Sequence, residues 1–444
     1  MFRGSLFISI CLLPELLLAQ MKIPMTYSAG SQAGAGQSVS QARPQSSTQM
    51  RITLDDAIKL ALENSPGLKA TRTQIQQSQA QEITANLRPN PTLSADSQFI
   101  PIFSPGDFSS DTLNNLQQFD IGVGYLFERG HKRQNRLQAA RDQTAVTQAQ
   151  VADAERTLTF NVGQQFIAAL LANSTLEFAQ EDLKGFQETV NISEQRYKAG
   201  DISEGDYLKI KLQLLQFQTD VSSARVAKVQ ALGSLRQLIG STALPAGYDV
   251  AGDLQYEPLT ASLLDLQAKA LSTRSDLIAA RRGVTAANSQ IGLAKANGKV
   301  DVTGSMNYSH VSGASSTSLF VGVPLPLFDR NQGELARTRF ALTQAQLSER
   351  ASEDTVITDV SNAYAAASTN QDVVKLYLSG YLKQAQESRE ISQYAYKGGA
   401  ATLLDFLDAE RSYRATELAY RQAIAAYMLS MEQLRQAVGS RSLQ

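Results

Sequence analysis

Few residues of this chain are spaced so that they could carry out covalent or metal chemistry. Its two histidines, His131 and His310, lie far apart, and the sequence holds no His-Glu-x-x-His motif, paired cysteines or Gly-x-x-x-x-Gly-Lys loop. Gly122-Val123-Gly124 falls inside an alternating segment, which is typical of a strand rather than of a nucleotide site. Most carboxylates lie in helical patterns, where solvated charge is the usual role. The sequence therefore argues against an enzyme, a bound cofactor and a metal site.

Carboxylates also follow two glycine-containing segments, at a spacing that is typical of helix starts. Ser203 with Asp206 and Thr402 with Asp405 match the capping box, in which a hydroxyl and a carboxyl satisfy the first amides of a helix. Gly200 and the pair Gly398-Gly399 stand just before them, where a helix must stop and reverse. Each half of the chain therefore predicts a long helical hairpin with a tight tip.

The elements that would position these tips occur twice. Phe127-Glu128-Arg129 returns as Phe328-Asp329-Arg330, and Tyr197-Lys198-Ala199-Gly200 returns as Tyr396-Lys397-Gly398-Gly399. Order and spacing agree along both halves, which indicates two copies of one supersecondary unit. We expect a first repeat over 51–240, a linker over 241–261 and a second repeat over 262–440.

The sequence of the first 50 residues gives no indication of a folded domain. Arg3 followed by a mostly apolar run up to Leu18 resembles a secretory signal peptide, here taken as residues 1–19. Residues 20–50 are rich in Gln, Ser, Ala and Gly, a composition that favours a disordered linker. The formal net charge of -1 gives no indication of a nucleic-acid partner.

Each repeat contains two short segments with alternating apolar and polar residues, over 91–99, 119–127, 300–309 and 318–325. Their length suits tilted membrane strands, although an ordinary sheet with one buried face gives the same alternation. Four strands cannot close a barrel, since small barrels need about eight, whereas three copies would provide twelve. No run of about 18 apolar residues is present, so entry into a membrane would require strands.

The remaining sequence predicts helices too long for a globular domain. Heptad spacing runs through 131–197 and again through 332–396, and each segment would span roughly 100 Å if continuous. Shorter helices are predicted over 203–238, 402–438, 66–87 and 275–296. Two of these placed end to end match the length of one long helix.

Together these residues make the chain similar to the TolC-like outer-membrane efflux proteins over about residues 51–440. The most specific stretch is Tyr396-Lys397-Gly398-Gly399 followed by Thr402 to Ala409. Segments 88–93 and 326–333 resemble most the heavy-metal branch of that family. The resemblance implies a mainly α chain with a membrane β-barrel portion: a homotrimer with one 12-stranded barrel in the outer-membrane lipid and a helical tube in the periplasm.

The resemblance also implies a function and partners. A family member is a passive exit duct for an inner-membrane efflux pump, to which a periplasmic adaptor protein links it. The adaptor would meet the helical tips, here Gly200, Gly398 and Gly399 with Tyr197 and Tyr396. The cargo is expected to be a small solute or a metal ion.

Site residues follow by position within the matching motif. Asp405 and Asp408 correspond to aspartates that ring the channel entrance, and Asp206 occupies the equivalent place at the first tip. Helix capping remains an equally good explanation of Asp405. Ala401 stands where some family members carry an arginine that holds the closed tips, so the closing contacts are expected to differ.

A secreted coiled-coil structural or filament protein is the alternative. It would explain the signal peptide, the heptads and the lack of catalytic motifs. It would leave unexplained two strand pairs placed symmetrically between the helices.

Overall fold

The structure is a computed structural model that describes residues 50–98, 103–104, 106, 109–111, 118–245 and 247–443. The predicted signal peptide, and the predicted linker up to residue 49, lie outside the described residues. No helix in the described part of the chain combines the length and the apolar character needed to cross a membrane.

Nine α-helices have both of their ends within the described residues and make up most of them. They are α1 (Leu54–Asn64), α2 (Pro66–Asn86), α3 (Lys132–Ala199), α4 (Glu204–Ile239), α5 (Leu263–Thr273), α6 (Ser275–Asn297), α7 (Gln332–Leu376), α8 (Leu382–Lys397) and α9 (Leu403–Val438). We call α3–α4 the first hairpin and α8–α9 the second hairpin. Both predicted tips thus fall between helices, at 200–203 and 398–402.

Helix starts follow the capping chemistry that the sequence indicates. Thr53 and Thr402 each form a complete capping box with the aspartate three residues later, and Ser203 accepts a hydrogen bond from the Asp206 amide. Only Ser65 separates α1 from α2, and Pro66 occupies the first position of α2, where proline fits without losing a hydrogen bond.

The two long helical segments differ. The first is one helix of 68 residues, α3. The second was expected to continue through 332–396, but it is interrupted by a π-helical turn over Tyr377–Tyr381, which separates α7 from α8. The cause is Gly380, whose φ of 136° lies outside the range that other residues adopt readily. Heptad spacing continues across this turn, so apolar periodicity alone does not reveal it.

Four strands form one antiparallel sheet in the order β2-β3-β5-β6, and the bounds are β2 (Thr92–Gln98), β3 (Gln118–Phe127), β5 (Val302–Val311) and β6 (Ala314–Gly322). The fourth strand begins four residues before the predicted start and ends three before the predicted end. Ser312 and Gly313, with φ of 49° and 75°, make a two-residue hairpin turn that fixes its register against β5. Pro324 and Pro326 then prevent further pairing.

The sheet exposes an apolar face. Val123 is paired with Leu93 on one side and with Met306 on the other, and Met306 is paired with Leu319. All four side chains are at least 49% exposed, and they share one face because each lies in the same register row.

The repeat is visible in two equivalent cores. Ala61, Leu235 and Ile239 in the first correspond to Ala270, Leu434 and Val438 in the second, and all six are at most 1% exposed. The segment 241–261 is more than a connection, because β4 (Asp249–Val250) pairs in parallel with β1 (Arg51–Ile52). Leu244, Tyr248 and Val250 also join the first core.

Candidate functional site

The tip of the first hairpin is a compact glycine turn. Gly200 ends α3 with a φ of 81°, and its amide donates to the carbonyl oxygen of Tyr197 at 3.0 Å. The Asp201 amide donates to the Arg196 carbonyl oxygen at 2.9 Å. This pattern satisfies the last carbonyls of the helix and requires the left-handed backbone that glycine supplies.

The tip of the second hairpin uses its two glycines differently. Gly398 is right-handed, with a φ of -81°, whereas Gly399 has a φ of 75°. The Ala400 amide donates to the Ala395 carbonyl oxygen at 2.8 Å, and the Ala401 amide reaches the same oxygen at 3.2 Å. Gly399 is therefore the position at which the chain reverses, and Ala401 contributes a backbone contact there.

Asp405 and Asp408 lie one turn apart at the start of α9. Asp405 Oδ2 accepts hydrogen bonds from the Thr402 hydroxyl at 2.6 Å and from the Thr402 amide at 3.2 Å, so this carboxyl caps the helix. Asp408 is 72% exposed, and its Oδ1 lies 3.6 Å from Arg411 Nη1. Both carboxyls remain at the surface of the single chain, where they can act on a passing ion.

Asp206 has the equivalent place at the first tip. The Ser203 hydroxyl donates to Asp206 Oδ2 at 2.9 Å, and Lys209 Nζ lies 3.3 Å from Oδ1. The hydrogen bond from Ser203, followed by that from Lys209, holds the pKa of Asp206 below its usual value. Asp206 is therefore a carboxylate at neutral pH.

The two tyrosines of the repeated tip motif have different surroundings. Tyr197 is 37% exposed, and its ring stacks on that of Tyr207 with centroids 5.0 Å apart. Tyr396 is 3% exposed and stacks on Phe406 at 5.2 Å. Tyr197 is thus available to a partner at the tip, whereas the Tyr396 ring supports the tip from inside the chain.

Arg196 joins the two tips, and motif reasoning did not single it out. Its Nη1 donates to the Tyr396 carbonyl oxygen at 2.7 Å, and its guanidinium lies 5.3 Å from the Tyr396 ring centroid. An unmatched arginine one residue before the repeated Tyr-Lys pair was the available signal, since the second repeat has Ala395 at that position.

Sequence reasoning also missed a buried charged cluster above the tips. Asp182 of α3 and Glu410 of α9 are each 7% exposed. Glu410 follows Phe406 by four residues and therefore lies on the same face of α9 as the apolar seam. A carboxylate at such a position was the signal that could have located the cluster.

Comparison with known proteins identifies one matching family and several similar proteins. A sequence model of the family described as outer membrane efflux protein matches residues 57–241 and 266–440. The cobalt-zinc-cadmium resistance protein CzcC of Cupriavidus metallidurans is 24% identical over 374 residues, which cover 83% of this chain and 85% of that protein. The cation efflux system protein CusC of Escherichia coli K12 is 24% identical over 377 residues, covering 81% and 80%.

A solved structure agrees in fold. The open state of the Neisseria gonorrhoeae MtrE outer membrane channel superposes with a TM-score of 0.72 at 21% identity, covering 88% of this chain and 90% of that one.

Proposed function

This chain belongs to the outer membrane efflux protein family, and we propose that it forms the exit duct of a tripartite efflux system. It resides in the outer membrane and works with a periplasmic adaptor and an inner-membrane pump. The family is one of channel proteins. We do not favour a filament subunit, because that function does not explain why the apolar face of the sheet is exposed.

The open sheet carries the argument for a shared barrel. One chain supplies four strands, and β2 and β6 at the two edges have no further strand partner among the described residues. Unpaired edges cannot remain in lipid, because their amides and carbonyls would lose their hydrogen bonds. If β6 of each copy pairs with β2 of the next, three copies close a 12-stranded barrel. The exposed apolar row through Val123, Met306 and Leu319 then faces the lipid.

The helical tips support the entrance proposal. Three copies would place Asp405 and Asp408 around one opening, with Asp206 on the neighbouring tip. Negative carboxylates around a narrow opening attract cations and hinder anions. The exposed tip surface around Gly200, Gly399 and Tyr197 is the proposed adaptor contact. Gly398 adjoins this surface, and the buried Tyr396 ring supports the second tip from within.

The proposed cargo is a small solute, with metal cations as the first class to test. The names of CzcC and CusC describe cation resistance and cation efflux for those proteins. An acidic entrance in this chain is compatible with cations, because it lowers their free energy at the opening.

The lipid-facing row provides a direct test of the barrel. Lysine at Val123 should prevent recovery of heat-modifiable trimers from the outer membrane, since a lysine near the bilayer midplane costs about 2–4 kcal/mol per chain. Ser305 lies on the opposite face of the sheet, one residue from Met306 in β5, and Ser305→Lys is the matched control. Normal outer-membrane trimers for Val123→Lys, or equal loss in both variants, would contradict the proposed orientation.

Transport is tested separately in a strain lacking the chain. Expression of the wild-type chain with its own adaptor and pump should restore tolerance to the exported cation. Wild-type trimers in the outer membrane that restore no tolerance to any tested cation would leave the barrel intact and remove cations as the cargo.

A further inference from the structure

Two buried carboxyls face each other where the two hairpins meet. Asp182 belongs to α3 of the first hairpin and Glu410 to α9 of the second, and each side chain changes the ionisation of the other. They line a cavity of about 300 Å³ together with Phe186 and Phe406. Burial makes a second negative charge at this place costly.

Charged groups from all four helices surround the pair. Arg414 of α9 places its Nε 2.6 Å from Asp182 Oδ2, and its Nη2 binds Asp220 of α4. Arg389 of α8 acts on both carboxyls, and its guanidinium lies 4.0 Å from the ring centroid of Tyr413. The same cavity is also lined by exposed charges that water screens, namely Glu181 and Glu188 of α3 and Lys397 of α8.

The balance of buried charge turns on one proton. The cluster has three carboxyls, those of Asp182, Asp220 and Glu410, and two guanidinium groups, those of Arg389 and Arg414. It is therefore neutral when one carboxyl is protonated, and it carries one excess negative charge when none is. Burial, followed by the charge of Asp182, raises the pKa of Glu410 to about 7. Burial also raises the pKa of Asp182, although the charge of Arg414 opposes it.

We propose that Asp182 and Glu410 form a proton-operated latch between the two hairpins. With one shared proton the pair joins α3 to α9, and loss of that proton loosens this contact. The sign follows from burial: the packed state favours the neutral carboxyl, so packing is tightest below the pKa of an exposed glutamate, about 4.3, and weakens as the pH rises from there through about 7.

The latch is connected to the tips by stacked rings. Phe186 follows Asp182 by four residues on α3, and Phe406 precedes Glu410 by four on α9. The two rings are nearly parallel, at 8°, with centroids 6.3 Å apart, and Phe406 stacks in turn on Tyr396. Separation of α3 from α9 at Glu410, about 10 Å along α9 from its first residue, therefore disturbs the same stack that supports the second tip.

The test measures the separation of the two helices as a function of pH. Spin labels are placed at the exposed positions Lys184 of α3 and Ser412 of α9, in a chain whose Cys11 is replaced by serine. Labelled chains are diluted with unlabelled chains so that a trimer holds at most one labelled copy. The label distance should lengthen in one transition as the pH rises through about 7.

Two substitutions distinguish protonation of the Asp182–Glu410 pair from protonation of other groups in the chain. Glu410→Gln keeps the size of the side chain without its ionisation, so the label distance should stay at the acidic value over the whole pH range. Asp182→Asn removes the negative neighbour of Glu410 and should move the transition to lower pH. Glu181→Gln, at the exposed carboxyl next to Asp182 on α3, is the control and should leave the transition unchanged.

Two results would overturn the latch. One is a wild-type distance that is equal at pH 5.5 and pH 8.5, and the other is a full pH response that persists in Glu410→Gln. The distance measurement lies within one chain and does not depend on transport. Failure of the latch is therefore distinguishable from failure of the exit-duct proposal, which the trimer and tolerance tests address.

Discussion

Arg196 of the first hairpin binds the second hairpin at Tyr396. Its Nη1 donates to the Tyr396 carbonyl oxygen at 2.7 Å, while its guanidinium lies 5.3 Å from the centroid of the same ring. A side-chain hydroxyl contact between Ser193 and Tyr396, at 3.4 Å, lies beside it. The two tips of one chain are thus joined through Tyr396.

Replacement of Arg196 by alanine should free the tips from each other. A charged hydrogen bond to a carbonyl contributes about 1.5–3 kcal/mol, and its loss leaves the Tyr396 carbonyl without this donor. We expect faster amide hydrogen exchange over residues 194–206 and 395–405, measured by mass spectrometry on intact trimers.

Lys198→Ala is the matched control for Arg196→Ala. Lys198 lies two residues away, is 70% exposed and pairs with Glu194 of its own helix at 2.8 Å. Its removal should leave exchange at 395–405 unchanged. Equal exchange in Arg196→Ala and wild type would show that the contact does not hold the tips together.

Local sequence signals predicted the helices and tips well for a physical reason. The capping hydroxyls of Ser203 and Thr402 and the left-handed Gly200 act through hydrogen bonds within a few residues, which the sequence alone specifies. Strand bounds depend on pairing. Ser312 and Gly313 set the register of β6, and no alternation pattern shows which turn the chain makes.

Contacts between distant helices could not be predicted in the same way. Asp182 and Glu410 are separated by more than two hundred residues, and heptad spacing gives the face of each helix without giving its neighbour. Arg196 is equally remote from Tyr396. Motif resemblance was therefore enough to locate the tips in the sequence. The contacts that join the two hairpins could be identified only in the folded chain.

The entrance carboxylates give a prediction about ion selectivity. Combined Asp405→Asn and Asp408→Asn should lower the preference for cations, measured by the reversal potential of single trimers in a planar bilayer under a salt gradient. Asparagine can still accept the Thr402 hydrogen bonds, so α9 should keep its start.

Asp265→Asn provides the comparison for capping alone. Asp265 caps α5 through Ser262, as Asp405 caps α9 through Thr402, but it lies in the second core region away from the tips. Its substitution should not alter selectivity. An unchanged reversal potential in the double variant would remove the entrance ring.

Gly398 and Gly399 allow a test of tip geometry at adjacent positions. Lysine at Gly399 would place an L residue at a φ of 75° and a charge near Arg196, whose Nη2 lies 3.6 Å from the position of an added Cβ. The backbone strain is about 1–3 kcal/mol. We expect efflux to be lost in the tolerance assay while heat-modifiable trimers are retained.

Gly398→Lys introduces the same charge at a right-handed position. A Cβ there would meet only ordinary contacts, the nearest being the Tyr394 carbonyl oxygen at 3.5 Å. This variant should therefore retain most of its efflux. Equal efflux by both lysine variants would show that the left-handed turn at Gly399 is not needed at the entrance.

Arg274 gives a prediction about stability and pH. Its side chain is 4% exposed, with Nη2 2.6 Å from Asp276 Oδ2 and Nη1 2.9 Å from Asp359 Oδ2. Burial raises the pKa of Asp276, but the hydrogen bonds and the charge of Arg274 outweigh it and hold that pKa below its usual value. Arg274→Met should lower the free energy of unfolding by about 1.5–3 kcal/mol at neutral pH, because it removes charged hydrogen bonds to two carboxylates that are themselves 34% and 46% exposed.

The pH dependence of that loss follows from the direction of the shift. A carboxyl with a depressed folded pKa contributes stability above its unfolded pKa of about 3.9, and the contribution disappears as pH falls through the folded value. The wild type should therefore lose stability on acidification below about pH 5, and Arg274→Met should lose less over the same interval. Arg281→Met, at a 41% exposed arginine paired with Glu353, should change the thermal midpoint little. If Arg274→Met and Arg281→Met showed the same midpoint at every pH, the buried ion pair would not stabilise the second core.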